Sequence, residues 1–156
     1  MPQIPLNGRN GVVAYATVDE FDVAAVSAFR WYWHRRDNYA VAHDGERTFY
    51  MHRLILGLAA GEMADHADNN GLNNSRSNLR RCNKSQNTIN SPTRRNSHGL
   101  RGVKRSGGRF QARITVDKKR LNLGSFATEA EAALAYAIAA KRFHGEFASL
   151  AMSVSP

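Results

Sequence analysis

Residues 63–90 contain polar groups suited to chemistry but too few apolar residues to form a core of their own. The segment predicts a strand, a loop rich in asparagine and glycine, a second strand and a short helix. In order, these are 63–66, 67–75, 77–82 with Leu79 pointing inwards, and a helix capped by Asn83 or Ser85. This segment must therefore pack on the residues that precede it or be held together by a bound metal ion.

The same segment places four functional groups at a characteristic spacing. Asp65 and His66 are adjacent, and Asn78 and Asn87 follow His66 by 12 and 21 positions. A neutral histidine can accept a proton from water near pH 7, and carboxylate and carboxamide oxygens suit a magnesium ion that keeps several waters. Asp65 and Asn87 are therefore candidate metal ligands, and Asn78 is a candidate to orient the ring of His66. This set favours hydrolysis of a phosphodiester.

The alternative is that these polar side chains only cap turns. We assign that role to the other four asparagines of the loop, which are Asn69, Asn70, Asn73 and Asn74.

The charge distribution indicates a polyanionic partner. The formal net charge is +9, yet residues 1–62 carry six Lys and Arg against seven Asp and Glu. All the excess positive charge lies after residue 62, which favours nucleic acid first and an anionic membrane second. A solvated basic face remains the alternative. Cys82 is the only cysteine, which excludes an intrachain disulfide and a cysteine-rich zinc site.

The N-terminal part, residues 1–56, predicts short strands and turns. A helix is expected from Asp22, as its cap, to Phe29, and helical spacing returns from His52 and ends near Gly61. The expected strands are 11–18, 31–33, 39–42 and 48–51.

Residues 98–150 predict a second unit, joined through a polar linker at 91–97. Three strands are expected at 103–105, 110–116 and 121–125, with Leu121 and Leu123 facing inwards. A helix begins at Thr128, where Thr128 and Glu131 form a capping box, and Leu134, Tyr136 and Ile138 add bulk to its packing against the sheet. The strands alternate, so the other sheet face is open and lined with cations and amides.

Residues 48–90 resemble the HNH endonucleases, and most closely the phage and intron subgroup in which asparagine replaces the last histidine. The resemblance rests on His52-Arg53-Leu54-Ile55, Asp65-His66, Gly71-Leu72-Asn73-Asn74, Ser77-Asn78-Leu79-Arg80 and Gln86-Asn87. It implies a ββα-metal fold, His66 as general base, and Asp65 and Asn87 as ligands of one divalent ion, Mg²⁺ or alternatively Mn²⁺. It also implies that Asn78 holds the loop and His66.

Residues 98–150 resemble the Apetala, or ethylene-response-factor, DNA-binding domain. The matching segments are 99–104, 108–114, 123–133 and 139–140. The resemblance implies a three-stranded sheet that enters the DNA major groove. It implies DNA contacts by six residues, which are Arg101, Lys104, Arg113, Thr115, Arg120 and Asn122. Arg105 and Arg109 are neighbouring candidates for the same role. The plant members have arginine in place of Thr115 and tryptophan in place of Asn122, so their sequence preference is not transferred.

We therefore expect an α+β protein with two modules: an HNH unit at 1–90 with a β-rich N-terminal part, and a three-stranded antiparallel sheet packed on one helix at 98–150. The expected activity is metal-dependent cleavage of double-stranded DNA in the cytoplasm of a bacterial host, by a protein that a phage or mobile element encodes. Neither a membrane nor a protein partner is expected. The alternatives are a catalytically silent DNA-binding regulator and, with less support, an RNA-binding protein.

Overall fold

The computed structural model describes residues 1–90 and 100–148, which form a mixed α+β protein. The chain divides into two compact units, Met1–Asn87 and Thr88–Pro156. The predicted linker at 91–97 and the predicted ends of the second module, residues 98–99 and 149–150, lie outside the described residues.

The first unit combines a five-stranded sheet with a separate β-hairpin. Its strands are β1 (Gln3–Gly8), β2 (Gly11–Thr17), β3 (Tyr32–His34), β4 (Tyr39–His43), β5 (Thr48–Tyr50), β6 (Met63–His66) and β7 (Leu79–Cys82). Its helices are α1 (Val23–Ser27), α2 (Met51–Leu56) and α3 (Lys84–Asn90), the last of which continues past the unit boundary. The sheet order is β2-β1-β3-β4-β5, and β6 pairs with β7. In the large sheet, β1 and β3 are parallel and the other neighbours are antiparallel.

Two predicted helices are shorter in the structure. The helix expected at 22–29 is a 3-10 turn followed by α1, and Asp22 makes no side-chain capping bond. Its carboxylate instead accepts two bonds from Arg76, at 2.7 and 2.8 Å. Gly57 ends the second helix four residues before the expected Gly61, because it adopts the left-handed conformation (φ 57°) that favours glycine.

Residues 63–90 were expected either to pack on the preceding residues or to be held by a metal ion, and the structure shows the packing. Trp31, Leu6 and Met51 are almost fully buried in one apolar cluster, which Leu79 of β7 joins. The hairpin therefore gains its apolar contacts from the N-terminal sheet and helices, and these contacts fix the position of its polar residues.

The second unit is a three-stranded antiparallel sheet with one helix packed on it. The elements are β8 (Val103–Ser106), β9 (Arg109–Val116), β10 (Lys119–Phe126) and α4 (Glu129–His144), and the strand order is β10-β9-β8. The predicted capping box is present: Thr128 Oγ1 accepts from Glu131 N at 3.2 Å, and Glu131 Oε2 accepts from Thr128 N at 3.1 Å.

The alanines of α4 and Tyr136 meet the sheet as predicted, but Leu134 and Ile138 do not. Alanines provide the buried positions of this helix, whereas Leu134 and Ile138 are 59% and 63% exposed. Leu121 pairs with buried Ile114 and so faces the side of α4 as expected, although it is 38% exposed, and Leu123 packs in the core. The pairing of β10 with β9 shifts between Asn122 and Gly124, so the alternation read from the sequence does not continue through this strand.

Candidate active site and sheet face

The hairpin register sorts the predicted catalytic residues onto two faces. Asp65 pairs with Arg80 and His66 pairs with Leu79 across β6 and β7. Because directly opposed residues of antiparallel strands point to the same side, Asp65 and Arg80 share one face and His66 and Leu79 the other. Asp65 and His66 are both buried, at 6% and 5% exposure. They are thus adjacent in sequence but have different surroundings.

Asp65 is held by an arginine. The guanidinium of Arg80 donates to Asp65 Oδ2 from Nε at 3.0 Å and from Nη2 at 2.6 Å. Both side chains are largely shielded from water, which strengthens such a charge-assisted pair. Arg80 was not predicted to have a function, because its position opposite Asp65 follows from the register of β6 and β7.

His66 lies in a cluster of rings. Its ring centroid is 5.6 Å from that of Tyr39 and 5.1 Å from that of His52, and Tyr50 stacks on His52 at 5.4 Å. The sequence alone does not decide whether His52 contacts a phosphate or packs inside the protein. The structure shows it packed among these rings.

Burial makes both histidines weak bases. Burial lowers the pKa of His66, against smaller opposing effects of Asn74 and the nearby Asp68 and Asp65 carboxylates. Burial, with His66 and Arg53 nearby, lowers the pKa of His52 to about 3. Both imidazoles are therefore neutral at pH 7, which is the form in which a histidine accepts a proton.

The oxygen beside the His66 ring belongs to Asn74, not to Asn78. Asn74 Oδ1 lies 3.4 Å from His66 Nε2, and Asn74 is fully buried. Its N–H donates to Thr17 O at 2.8 Å, which fixes the loop against β2. The assignment of Asn74 to a simple turn was therefore incomplete, because its Nδ2 does donate to Gly71 O at 3.4 Å while its Oδ1 lies beside His66. No local pattern could have corrected it, because Thr17 lies 57 positions away.

Asn78 holds the loop rather than the ring. Its Nδ2 donates to Asp68 Oδ1 at 2.9 Å and to Asn73 O at 2.7 Å, and its Oδ1 accepts from Asp68 N at 2.9 Å. The main-chain carbonyl of Asn78 also accepts from Ala67 N at 2.9 Å. Asn78 thus fixes the backbone that directly follows His66.

Asn87 lies in α3, directly after the hairpin, so this segment has the strand-strand-helix order. Asn83 begins the helix as predicted: its side chain accepts from Gln86 N at 2.9 Å, and Gln86 Oε1 accepts from Asn83 N at 2.8 Å. Within residues 1–90 and 100–148, no three His, Cys, Asp or Glu residues form a metal-binding group.

A carboxylate and a carboxamide, the groups that Asp65 and Asn87 carry, are oxygen ligands of the type that a hard divalent ion accepts. A magnesium ion needs few protein ligands and accepts a carboxamide oxygen such as that of Asn87.

The open face of the second unit carries most of the residues that the DNA-binding resemblance singled out. Strand pairing places six of them on the face opposite α4: Lys104, Arg109, Arg113, Thr115, Arg120 and Asn122. Arg113 Nη2 donates to Gln111 Oε1 at 2.7 Å, and Arg109 Nη2 donates to Ser125 O at 3.0 Å. These bonds hold two guanidinium groups along the sheet.

Arg101 and Arg105 do not lie on that face. Arg105 pairs with Phe110, so its side chain leaves the sheet on the side of α4. The Arg101 guanidinium donates to the main-chain carbonyls of Thr88 and Ile89, within the second unit.

Comparison with known proteins identifies the family of the chain. The chain is 32% identical over 151 residues to a protein of Acanthamoeba polyphaga mimivirus that is named an uncharacterized HNH endonuclease. The match covers 92% of this chain and 78% of that protein. No family model matches the chain. The chain belongs to the HNH endonucleases.

None of the helices in the described parts of the chain has the length and apolar character that crossing a membrane requires.

Proposed function

We propose that the protein is a metal-dependent DNA endonuclease in which His66 is the general base. The observation that carries the proposal is the Asp65-His66 pair at the end of β6, with Asp65 fixed by Arg80 and His66 kept neutral by burial. Membership of the HNH endonucleases supports a nuclease function.

In the proposed reaction, His66 removes a proton from the water that attacks phosphorus. Tyr39, His52 and Asn74 restrict the ring to one orientation, and Asn78 holds the loop behind it. A pre-set ring loses little freedom when substrate arrives, which lowers the barrier.

Asp65 and Asn87 would hold the divalent ion, Mg²⁺ or alternatively Mn²⁺. When bound, such an ion stabilises negative charge on the leaving oxygen and on a non-bridging oxygen of the phosphodiester. Arg80 keeps the Asp65 carboxylate in a fixed position, so this ligand does not have to be ordered when the ion binds.

The open sheet face is the proposed DNA contact. It presents four cations, which are Lys104, Arg109, Arg113 and Arg120. Its resemblance to the Apetala domain suggests entry into the major groove, where base edges are distinguishable. If these four cations neutralise phosphates, the logarithm of the binding constant should fall with the logarithm of salt concentration at a slope of about −4.

The test is conversion of supercoiled plasmid by the purified protein with magnesium, with EDTA, and with a His66→Ala variant. We expect nicked or linear product only from the wild type with metal, while the variant still binds DNA. A His43→Ala variant, which changes an exposed histidine outside the site, should cleave like the wild type. Unchanged cleavage by His66→Ala would refute His66 as the base.

A silent DNA-binding regulator is the second candidate, because His66 is only 5% exposed and is surrounded by rings. A regulator would bind DNA equally with and without EDTA and would form no product with magnesium or manganese. Metal-dependent product that His66→Ala abolishes would exclude this candidate.

A further inference from the structure

The large aliphatic residues of helix α4 face away from the sheet on which the helix packs. Its buried positions are Ala132, Ala139 and Ala140, whereas Leu134 and Ile138 are 59% and 63% exposed. Single exposed aliphatic residues are ordinary on protein surfaces. Two that are four positions apart are neighbours on one helix face, so they form a continuous apolar stripe that the sheet does not cover.

We propose that this stripe is the contact between two copies of this chain, packed antiparallel through α4. The argument for a second copy is the arrangement of charge along the stripe. Glu131 and Arg142 are exposed and 11 residues apart, which is close to three helical turns. They therefore lie on the same flank of the stripe, one towards each end.

The stripe and its charges share one centre. The midpoint of Leu134 and Ile138 is position 136, and the midpoint of Glu131 and Arg142 lies half a residue beyond it. A twofold axis at that point sets Leu134 against Ile138 of the second copy and Glu131 level with its Arg142. A self-complementary patch of this kind is what a twofold interface requires.

A parallel pairing does not have this property. Its twofold axis runs along the helices, so the two Glu131 side chains lie at the same height on opposite flanks of the contact, and Glu131 of one copy stays about three helical turns from Arg142 of the other. The charge pattern thus selects one orientation as well as one type of partner.

The interface is small. A 16-residue helix is about 24 Å long, and one face of it buries less than the roughly 1,200 Å² typical of stable complexes. We therefore expect a dimer that dissociates on dilution, with half-association at micromolar concentrations or above. This inference is independent of the proposed nuclease function, because it concerns a different surface and is tested by measuring the molecular mass in solution.

Sedimentation equilibrium of the full chain over about a thousandfold range of concentration tests the proposal. We expect the mass to rise from that of the monomer, 17.3 kDa, to twice that value. Leu134→Gln should weaken association at least about tenfold by removing apolar contact area. Val12→Thr, at a comparably exposed apolar position in the first unit, should not. A monomer at every concentration would overturn the proposal, as would undiminished association of Leu134→Gln.

The charge pair has its own variants. Glu131→Gln retains the capping box, because glutamine is accepted at this position, yet it removes the charge. Both Glu131→Gln and Arg142→Glu should weaken association, and Arg142→Lys should not. Equal association of all three would remove the argument for a second copy.

Cross-linking tests the orientation. In a Cys82→Ser background, Leu134→Cys and Ile138→Cys variants are oxidised separately and then as a mixture. An antiparallel pair predicts disulfide-linked dimer mainly from the mixture, whereas dimer formed mainly by each variant alone would overturn the antiparallel arrangement. Circular dichroism of each variant checks that the helix is retained.

Discussion

Replacing Asn78 by aspartate tests how the loop after His66 is held. In the wild type, Asn78 Nδ2 donates to Asp68 Oδ1 and to Asn73 O, and its Oδ1 accepts from Asp68 N. An ionised carboxylate at this position keeps the accepted bond but loses both donors. It also faces the carboxylate of Asp68 at a distance that is 2.9 Å in the wild type.

The expected cost follows from these contacts. The bond to the Asn73 carbonyl contributes about 0.5–1.5 kcal/mol and the bond to charged Asp68 about 1.5–3 kcal/mol. Repulsion between two charges at that distance adds about 1.4 kcal/mol at the dielectric constant of water. Asp68 is largely exposed, so the lower values apply. The variant should lose about 3 kcal/mol of unfolding free energy at pH 7.

This loss should depend on pH. Burial alone would raise the pKa of Asp68, but hydrogen bonds from Asn73, Asn70 N–H and Asn78 together hold its pKa below the usual value. In the variant, the new carboxyl has a raised pKa in the folded state because a second carboxylate is beside it. A carboxyl with a raised folded pKa stabilises the folded state at pH values below its unfolded pKa of about 3.9, and this stabilisation is lost as pH rises through the folded pKa. The difference in unfolding free energy between the variant and the wild type should therefore become smaller as pH falls from 7 to 4.

Urea unfolding followed by tryptophan fluorescence measures this difference. Both tryptophans, Trp31 and Trp33, lie in the first unit, so the signal reports on that unit alone. Asn78→Ala is the matched control, since it loses the bonds without adding a charge and should show a nearly constant difference over the same pH range. A loss below about 1 kcal/mol at pH 7, or no narrowing towards pH 4, would refute the assigned hydrogen bonds.

Three further predictions, one of them with a control variant, test other contacts. His52→Gln should reduce the fall in unfolding free energy between pH 7 and pH 5. A histidine whose pKa is lowered in the folded state stabilises the protein above its unfolded pKa of about 6.5, and this contribution is lost as pH falls. Equal pH profiles of unfolding free energy for the variant and the wild type would contradict this. Gly102→Ala should destabilise the second unit by about 2–5 kcal/mol, since its φ is +72° and the added Cβ would lie 2.1 Å from the Tyr136 ring. Gly107→Ala, with positive φ but open space, should cost only about 1–2 kcal/mol, and amide hydrogen exchange separates the two. Arg76→Gln should lower stability by about 1–3 kcal/mol by leaving a buried carboxylate without its ion pair, and an unchanged urea midpoint would exclude that role.

Local sequence patterns were sufficient to predict several structural elements. The strands of the hairpin, the Asn83 cap and the capping box at Thr128 each depend on residues within a few positions of one another. All the residues that form such an element lie within a short stretch of sequence, so the sequence alone predicts the element correctly. The polarity of the open sheet face followed from alternation along β9 for the same reason.

The incorrect or incomplete predictions concern side chains whose partner is distant in the sequence, and side chains whose direction depends on the strand register. Asp22 was expected to cap a helix, but its partner Arg76 lies 54 positions away. Asn74 has the composition of a turn residue and is fixed by Thr17. Arg105 was grouped with Lys104, although adjacent residues of a strand point to opposite faces. The position of Asn87 as a metal ligand stays a prediction.

Arg76 also limits how this nuclease unit can be exchanged between proteins. Its main-chain N–H donates to Asp19 at 2.7 Å, and its guanidinium donates to Asp22 and to the carbonyl of Ile55. A gene fragment that encodes only residues 63–90 would carry the catalytic signature but not these acceptors. Recombination that preserves folding must therefore cut before the N-terminal sheet. Grafting experiments should likewise move residues 1–90 as a single cassette.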